Sequence, residues 1–328
     1  MRDARRTLLR QLSAGALIGA IGPRALASSD WPRRPIKVIV PFTPGGSTDI
    51  AARLAAEGMA RTLGQTFIVE NRPGAGGNLG LEALARSDND GYTIGILTTA
   101  HPINSWLYKK PGYDLESSFS AIGFLQEGPI MLVAHPSLPI NSLPELIAYA
   151  KAHPGKLNFA TSGTGNSTHM AGELFCHRAH VQMTHVPYKG SAPAITDTIA
   201  GVCELSFDTM ISALPHVKAG KLKAIAVTTA KRSPMTPDVP SISETLAGFD
   251  VSAWNGMVAP AGTPKEVISK LHQAMVQALA APAVLQRFAD MGVTPRAMQP
   301  EEFQRFILQE REMWGKTVQA ANIALDGQ

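Results

Sequence analysis

Apolar and polar positions follow two patterns along this chain: short β-branched runs and longer stretches with helical spacing. Residues 36–40 form an apolar, β-branched run, which predicts a buried strand. Within residues 50–63, Leu54 and Met59 share one helical face, which predicts a helix. Residues 41–49 join the two, and their paired glycines allow a ligand to approach the backbone closely. Because the first N–H groups of a helix are free and carry positive potential, this loop predicts an anion site.

The same order of strand, glycine loop and helix recurs later in the chain. Residues 157–161 predict a strand, residues 162–167 form a Gly/Ser loop, and residues 168–179 continue as a helix. Two such loops, far apart in sequence, indicate two similar lobes that hold one ligand between them. This repeat is the central prediction from the pattern.

The remaining pattern is β/α alternation. Strands at 67–70 and 92–97 complete a β-α-β-α-β unit, and a second alternating series follows residue 157. We predict an α/β fold of two lobes, each a doubly wound, mostly parallel sheet flanked by helices. Helices within residues 265–321 are expected to pack back on the first lobe.

The predicted domain organisation follows from two apolar segments that can cross between the lobes, residues 130–134 and 253–259. It assigns residues 1–27 to a signal peptide, residues 28–134 plus 254–328 to lobe 1, and residues 135–253 to lobe 2.

The N-terminus has the three parts of a secretory signal. Four arginines precede a short apolar run at 12–21, and Ala25-Leu26-Ala27 gives an A-x-A cleavage pattern. The run is too short to span a bilayer, which argues against a membrane anchor. Arg5 and Arg6 fit either a twin-arginine signal or an ordinary basic start. We therefore expect export to the periplasm.

The basic character of the chain comes from this segment. Residues 1–27 carry five Arg and one Asp, and the whole chain has a net charge of +4. Subtracting the +4 of the segment leaves the rest of the chain neutral. A neutral chain without a basic patch argues against nucleic acid as a partner.

Motifs for catalysis are missing from the sequence. Residues 74–80 nearly fit a dinucleotide-binding loop, but Leu79 stands where glycine is needed. There is no Walker loop, no G-x-S-x-G elbow and no H-E-x-x-H motif. His177 and His180 could share a metal, but no third ligand follows at a typical spacing. We expect no enzyme activity, no cofactor and no metal.

Several residues have two interpretations that the sequence leaves open. Asp49 and Asp208 could cap helices or act as a general acid/base pair. His169 either points at the ligand or braces the second loop. Cys176 and Cys203 could form a disulfide in an oxidising compartment, or be two small buried apolar residues.

Five segments in order resemble the Bug family, extracytoplasmic solute receptors of tripartite tricarboxylate transporters. They cover essentially the whole chain after the signal and are residues 40–49, 70–77, 162–169, 185–190 and 207–208. The resemblance implies a type II periplasmic binding fold that closes on a small carboxylate, held largely by backbone N–H groups and ordered water. It also implies delivery to a membrane permease of one large and one small subunit, and we expect the receptor to be a monomer.

The family's ligand contacts can be placed on matching positions. The implied first-lobe contacts are Phe42, Gly45, Gly46, Ser47, Asp49 and Asn78. The implied second-lobe contacts are Ser162, Gly165, Asn166, Ser167 and His169, with Tyr188 and Asp208 behind them. Asn166 departs from the small hydroxyl residue expected there. Thr98, Thr99 and His101 lie where family members differ, so we expect them to help set specificity.

The leading hypothesis is a binding protein that captures a di-, tri- or aromatic carboxylate and delivers it to a tripartite tricarboxylate-type permease. One alternative is a sensor subunit that presents its closed form to a membrane kinase. Another is a secreted hydrolase or isomerase that uses Asp49, His169 or Asp208. The sequence does not identify which carboxylate binds.

Overall fold

The computed structural model describes residues 31–320, so the predicted signal peptide lies outside the described residues. The strands are β1 (Ile36–Val40), β2 (Phe67–Asn71), β3 (Thr93–Thr98), β4 (Phe119–Ala134), β5 (Asn158–Thr161), β6 (Thr184–Pro187), β7 (Leu205–Thr209), β8 (Lys223–Val227), β9 (Ser252–Pro260) and β10 (Thr294–Pro295). The helices are α1 (Ser47–Leu63), α2 (Asn78–Ala85), α3 (Ala100–Leu107), α4 (Leu143–Ala152), α5 (Ser167–Ala179), α6 (Ser191–Ile199), α7 (Met210–Lys218), α8 (Lys265–Ala280), α9 (Pro282–Asp290) and α10 (Pro300–Ala320). In this part of the chain no helix is both long enough and apolar enough to cross a membrane.

The strands form one mixed sheet with two halves of the same design. In the first half the order is β2-β1-β3-β9-β4. β1 runs parallel to β2 and β3, whereas β9 is antiparallel to both β3 and β4. In the second half, β5 runs parallel to β6 and β7, and β4 is antiparallel to β7 and β8. Each half is therefore three parallel strands followed by one antiparallel strand, and the predicted two-lobed α/β architecture is confirmed.

Strands β4 and β9 connect the two halves. β4 pairs with β9 from Phe119 to Pro129, and its last five residues pair with β7 and β8. The sequence predicts this strand only from Ile130. Its earlier part escapes a pattern search because Gln126 and Gly128 interrupt the apolar positions, and the pairing register shifts twice there. The residue boundaries of the two lobes stay a prediction.

The C-terminal helices pack on more than one part of the molecule. Apolar residues of α8 and α9 join the core that covers β1, as expected for packing on the first lobe. Phe303 and Ile307 of α10 pack with Phe124 and Trp254. Farther along α10, Trp314 and Val318 join the core of the second half. The prediction that these helices all pack on the first lobe is thus incomplete for α10, because its apolar face is long enough to cover both halves.

Candidate functional site

A small cavity lies where the two predicted loops meet. It is lined by Phe42, Gly46, Ser47, Thr48, Thr98, Thr99, Gln126, Ser162, Asn166, Ser167, Ser191, Thr209, Ala253, Trp254 and Asn255. No residue in this lining is acidic or basic. The space open to the centre of a water molecule is about 30 Å³. The lobes are therefore close together around the site.

Helix N-termini surround this cavity. The lining includes the first residues of α1 and α5, as predicted, and also residues at the starts of α3, α6 and α7. None of the five N-cap residues makes a side-chain hydrogen bond to its helix, although the Ala100 N–H of α3 donates to Thr98 Oγ1 at 3.3 Å. The amides of a helix's first turn have no partner within the helix, and the helix dipole makes that end positive. The arrangement can hold an anion without any cationic side chain.

Asp49 braces the first loop from inside. Its carboxylate accepts hydrogen bonds from the Gly45 N–H and from Arg53 Nε, each at 2.9 Å, and from Asn71 Nδ2 at 2.9 Å. Burial alone would raise the pKa of Asp49, but the hydrogen bonds from Arg53, Gly45 and Asn71 outweigh it and hold the pKa below 3.8. Asp49 does not line the cavity. Its contacts are those of a loop brace, not of an acid/base group or of a side-chain N-cap.

His169 braces the second loop in a comparable way. The Gly165 N–H donates to His169 Nδ1 at 3.3 Å, and the imidazole stacks on His185 at 4.1 Å between ring centroids. Burial, with a smaller contribution from the neighbouring His169, lowers the pKa of His185 to about 3. Of the two open interpretations for His169, the structure therefore favours the brace.

The amide of Asn166 also stabilises the second loop. Asn166 Nδ2 donates to the Ser162 carbonyl at 3.2 Å, while Ser162 itself pairs with Thr168 Oγ1. Both Ser162 and Asn166 line the cavity. The residue that departs from the family pattern thus supports the loop by a hydrogen bond to the backbone.

The end of β3 supplies the next part of the lining. Thr98 and Thr99 face the cavity, and His101 lies behind them, fully buried. The Thr98 N–H donates to His101 Nδ1 at 2.9 Å. Burial lowers the pKa of His101 to about 4, so the ring is neutral at neutral pH. Thr99 ties this end to β9, since its hydroxyl accepts from the Trp254 N–H at 2.8 Å.

Asp208 lies beneath the lining of the second half. Its Oδ1 accepts from Ser191 Oγ at 2.6 Å and from the Thr209 N–H at 2.7 Å, and its Oδ2 has no partner among the described residues. Burial raises the pKa of Asp208 to about 7, although the hydrogen bonds from Ser191 and Thr209 oppose the shift. Asp208 is the penultimate residue of β7 and not a helix cap, because α7 starts after Thr209. It holds Ser191 and Thr209 toward the cavity.

The predicted contact residues thus fall into two groups. Those that line the cavity are Phe42, Gly46, Ser47, Thr98, Thr99, Ser162, Asn166 and Ser167. Those that lie behind or beside the lining are Gly45, Asp49, Asn78, His101, Gly165, His169, Tyr188 and Asp208. Asn78 Oδ1 accepts from Asn104 and Tyr113, and Tyr188 donates its hydroxyl proton to Asp197. Whether each lining residue contacts a ligand stays a prediction.

Sequence reasoning missed the lining residues of the connecting strands. These are Gln126 on β4, together with Ala253, Trp254 and Asn255 on β9. A polar residue inside an otherwise apolar strand was the available signal for Gln126 and Asn255. Thr48, Ser191 and Thr209 were missed too, although each is adjacent to a predicted loop or contact residue.

The two cysteines do not form the possible disulfide. Both are free thiols. Cys176 packs at the edge of the second half's core, while Cys203 is buried against Ala160 and Ala194. Burial raises the pKa of the Cys176 thiol to about 12. The structure therefore agrees with the alternative of two small apolar residues.

Within residues 31–320, the His, Cys, Asp and Glu side chains form no group of three or more that could hold a metal ion. His177 ends up in the last turn of α5, and His180 lies at the helix's C-cap in the left-handed conformation. Both therefore lie at the C-terminal end of α5, whereas the cavity is lined by the N-terminal end of this helix.

A backbone hydrogen bond beside the cavity joins the first loop to the segment between β6 and α6. The Thr43 N–H donates to the Lys189 carbonyl at 3.2 Å. Gly46 lies next to Ser191: a Cβ added at Gly46 would lie 3.5 Å from the Ser191 nitrogen. The loops of the two halves are thus in direct contact at this site.

The sequence of this chain also matches a protein-family model. The model described as the tripartite tricarboxylate transporter family receptor matches residues 51–323. The match covers most of the chain: it begins within α1 and includes α3, α5, α6 and α7.

Solved structures with the same fold share about a third of the sequence. The periplasmic binding protein BugD is 36% identical, with a TM-score of 0.87 over 90% of this chain and 99% of that one. R. palustris Rpa4515 with adipate is 35% identical, with a TM-score of 0.87 over 90% and 99% of the two chains. MatC (Rpa3494) from Rhodopseudomonas palustris with bound malate is 33% identical, with a TM-score of 0.83 over 88% of this chain and 100% of that one.

Proposed function

Because this chain belongs to the tripartite tricarboxylate transporter receptor family, we propose that it captures a small carboxylate between its lobes and delivers it to a membrane permease. The predicted resemblance to the Bug family is confirmed. Adipate and malate, the ligands of the two structurally similar proteins, are both dicarboxylates. They support a dicarboxylate as the first ligand class to test.

The observation that carries this proposal is the uncharged cavity ringed by five helix N-termini. A carboxylate there would accept hydrogen bonds from first-turn N–H groups and from serine and threonine hydroxyls. A hydrogen bond to a charged group contributes about 1.5–3 kcal/mol. Before the entropic cost of association, four such bonds contribute about 6–12 kcal/mol, a range that includes the roughly 8.2 kcal/mol of micromolar affinity. Arginine is therefore not needed for binding.

The size of the cavity supports a closing mechanism. The cavity is narrow, and the Thr43–Lys189 hydrogen bond joins the two halves beside it. The lobes must separate for entry and close on the ligand. Because β4 and β9 connect the two halves, we infer that the opening motion bends these strands. Ligand contacts made only in the closed form would drive closure.

Export and delivery complete the proposal. Residues 1–27 would direct the chain to the periplasm, where the receptor would act as a monomer. Its partner would be a permease of one large and one small subunit. The family match and the likeness to a periplasmic binding protein support this assignment.

A thermal-shift screen tests the carboxylate proposal. The protein is unfolded and refolded to remove bound ligand, then mixed with di- and tricarboxylates, aromatic carboxylates, amino acids and neutral sugars. A ligand at about 100 times its Kd adds roughly 2.7 kcal/mol to the free energy of unfolding. We expect the unfolding midpoint to rise with one class of carboxylate. A rise with neutral sugars alone would refute the proposal.

A further inference from the structure

Three polar side chains lie next to one another on the sheet at the cavity. Thr98 on β3 is paired with Asn255 on β9, and Asn255 is paired with Gln126 on β4. Residues directly opposite each other in an antiparallel pair have their side chains on the same face of the sheet. All three residues are at most 5% exposed, and all three line the cavity. They therefore form one polar surface across neighbouring strands.

The threonine of this surface already has hydrogen-bond partners. Thr98 Oγ1 accepts from the Ala100 N–H at 3.3 Å and also lies 3.3 Å from His101 Nδ1. The hydroxyl of Thr98 is thus engaged with its own segment of the chain. Asn255 and Gln126 are the two members of the surface whose hydrogen bonds remain to be accounted for.

These two amides have no partner of their own. Neither Asn255 nor Gln126 makes a side-chain hydrogen bond to any other of residues 31–320. Gln126 Oε1 is fully buried, 3.9 Å from where a Cβ on Gly128 would lie, so Nε2 is the accessible atom of this amide. Neither amide atom of Asn255 is fully buried. Because an amide nitrogen carries two N–H donors and no acceptor, both residues bring unpaired donors to the cavity.

Such donors match a negatively charged oxygen. A carboxylate oxygen only accepts, and it forms a charge-assisted hydrogen bond with an amide N–H. A ligand hydroxyl or neutral carbonyl also accepts from an amide N–H, but such a bond is roughly half as strong. No acidic side chain lines the cavity to repel the ligand or to compete for these donors.

A dicarboxylate needs two separate sets of donors. Its two charged ends repel each other and therefore lie apart, and each end must be satisfied when it leaves water. The first-turn amides of the helices around the cavity provide one set. Asn255 and Gln126 provide the other set, on the strands β9 and β4 that connect the two halves.

From these contacts we propose that Gln126 and Asn255 form a subsite for a second carboxylate and are the residues that select dicarboxylates over monocarboxylates. One carboxylate of the ligand accepts from the helix N-termini. The other accepts from Gln126 Nε2 and from the amide nitrogen of Asn255. This inference rests on the proposed carboxylate-binding function and names both its substrate class and the residues that recognise it.

Calorimetric titration of ligand-free protein tests the inference with pairs of ligands that differ by one carboxylate group. The pairs are succinate with butyrate and adipate with hexanoate, and in each pair a methyl group replaces the second carboxylate. The weaker member of a pair is measured by competition against the tighter one. We expect the dicarboxylate of at least one pair to bind at least about tenfold more tightly than its monocarboxylate.

Two variants isolate the role of the amides. Gln126→Met and Asn255→Leu keep the approximate size of each side chain and remove its donors. Each should lower dicarboxylate affinity about tenfold and leave monocarboxylate affinity within about twofold, since only the second carboxylate loses a hydrogen bond. Gln277→Met, at an exposed position of α8, is the matched control and should bind as the parent protein does.

The outcomes separate the two proposals. A parent protein that prefers neither dicarboxylate, a preference that survives both substitutions, or an equal loss for both members of a pair in a variant that still unfolds cooperatively overturns the subsite. Each of these results leaves carboxylate binding intact. If no carboxylate in the titrations or the thermal-shift screen binds, the proposed function itself fails.

Discussion

At the scale of single residues, the buried carboxylates of this site support the backbone and do not face the cavity. Asp49 ties the first glycine loop to α1 through Gly45, and Asp208 holds Ser191 and Thr209 in the second half. The sequence could place both residues next to a loop, because each follows a strand pattern. It could not distinguish a brace from a ligand contact, since that depends on which way a side chain points after folding.

The pH dependence of stability should report the burial of Asp208. Its folded-state pKa of about 7 exceeds the 3.8 of an unperturbed aspartate, so the folded protein binds a proton more tightly than the unfolded chain. The stability from this group is fully present below pH 3.8 and is lost as the pH rises through 7. Urea unfolding of the parent and of Asp208→Asn, from pH 4 to 8, measures the effect.

The expected result is a difference in the free energy of unfolding, parent minus Asp208→Asn, that falls with rising pH and levels off above 7. Asn retains a neutral, hydrogen-bonding side chain at all these pH values, so it removes this titration alone. A difference that stays constant across the range would show that Asp208 titrates normally.

At the scale of elements, the site is made by the starts of helices. The sequence predicted two of them, α1 and α5, because a glycine loop precedes each one. α3 was missed because residues 102–128 have weak periodicity. α6 and α7 were predicted as helices, but their approach to the first loop depends on how the two halves meet, which no local pattern encodes. The same holds for Gln126 and Asn255 on the connecting strands.

Substitution at Gly46 tests whether the start of α1 belongs to the site. Gly46 has φ −81° and ψ 171°, which any residue can adopt. A Cβ there would make only ordinary contacts, 3.5 Å to the Ser191 nitrogen and 3.6 Å to the Thr43 oxygen. Gly46→Ala should therefore keep carboxylate affinity within a fewfold. Gly46→Leu should weaken it at least 100-fold, because the longer side chain fills the gap between α1 and α6.

Both variants should remain folded when no ligand is present, since Gly46 is buried between the two halves, which can separate, and lies outside the apolar cores. Titration with the best carboxylate of the screen gives the affinities. Normal binding by a folded Gly46→Leu would remove the start of α1 from the site.

At the scale of the whole molecule, the two halves have the same strand order. Each ends in an antiparallel strand, which is β9 in the first half and β4 in the second. The alternating β/α pattern was enough to predict this architecture, because each unit is local in sequence. The tight approach of the loops, with Thr43 bonded to Lys189, could not be predicted in the same way. It is a contact between the two halves, so a ligand that binds between them also changes how stable this contact is.

The most direct test of the central claim is whether the cavity requires a negative charge on its ligand. Calorimetric titration of ligand-free protein compares the best carboxylate of the screen with its neutral amide analogue, for example succinate with succinamide. The helix N-termini predict that the carboxylate binds with micromolar affinity and that the amide loses at least 100-fold. Equal affinity for the amide would contradict an anion site formed by helix N-termini.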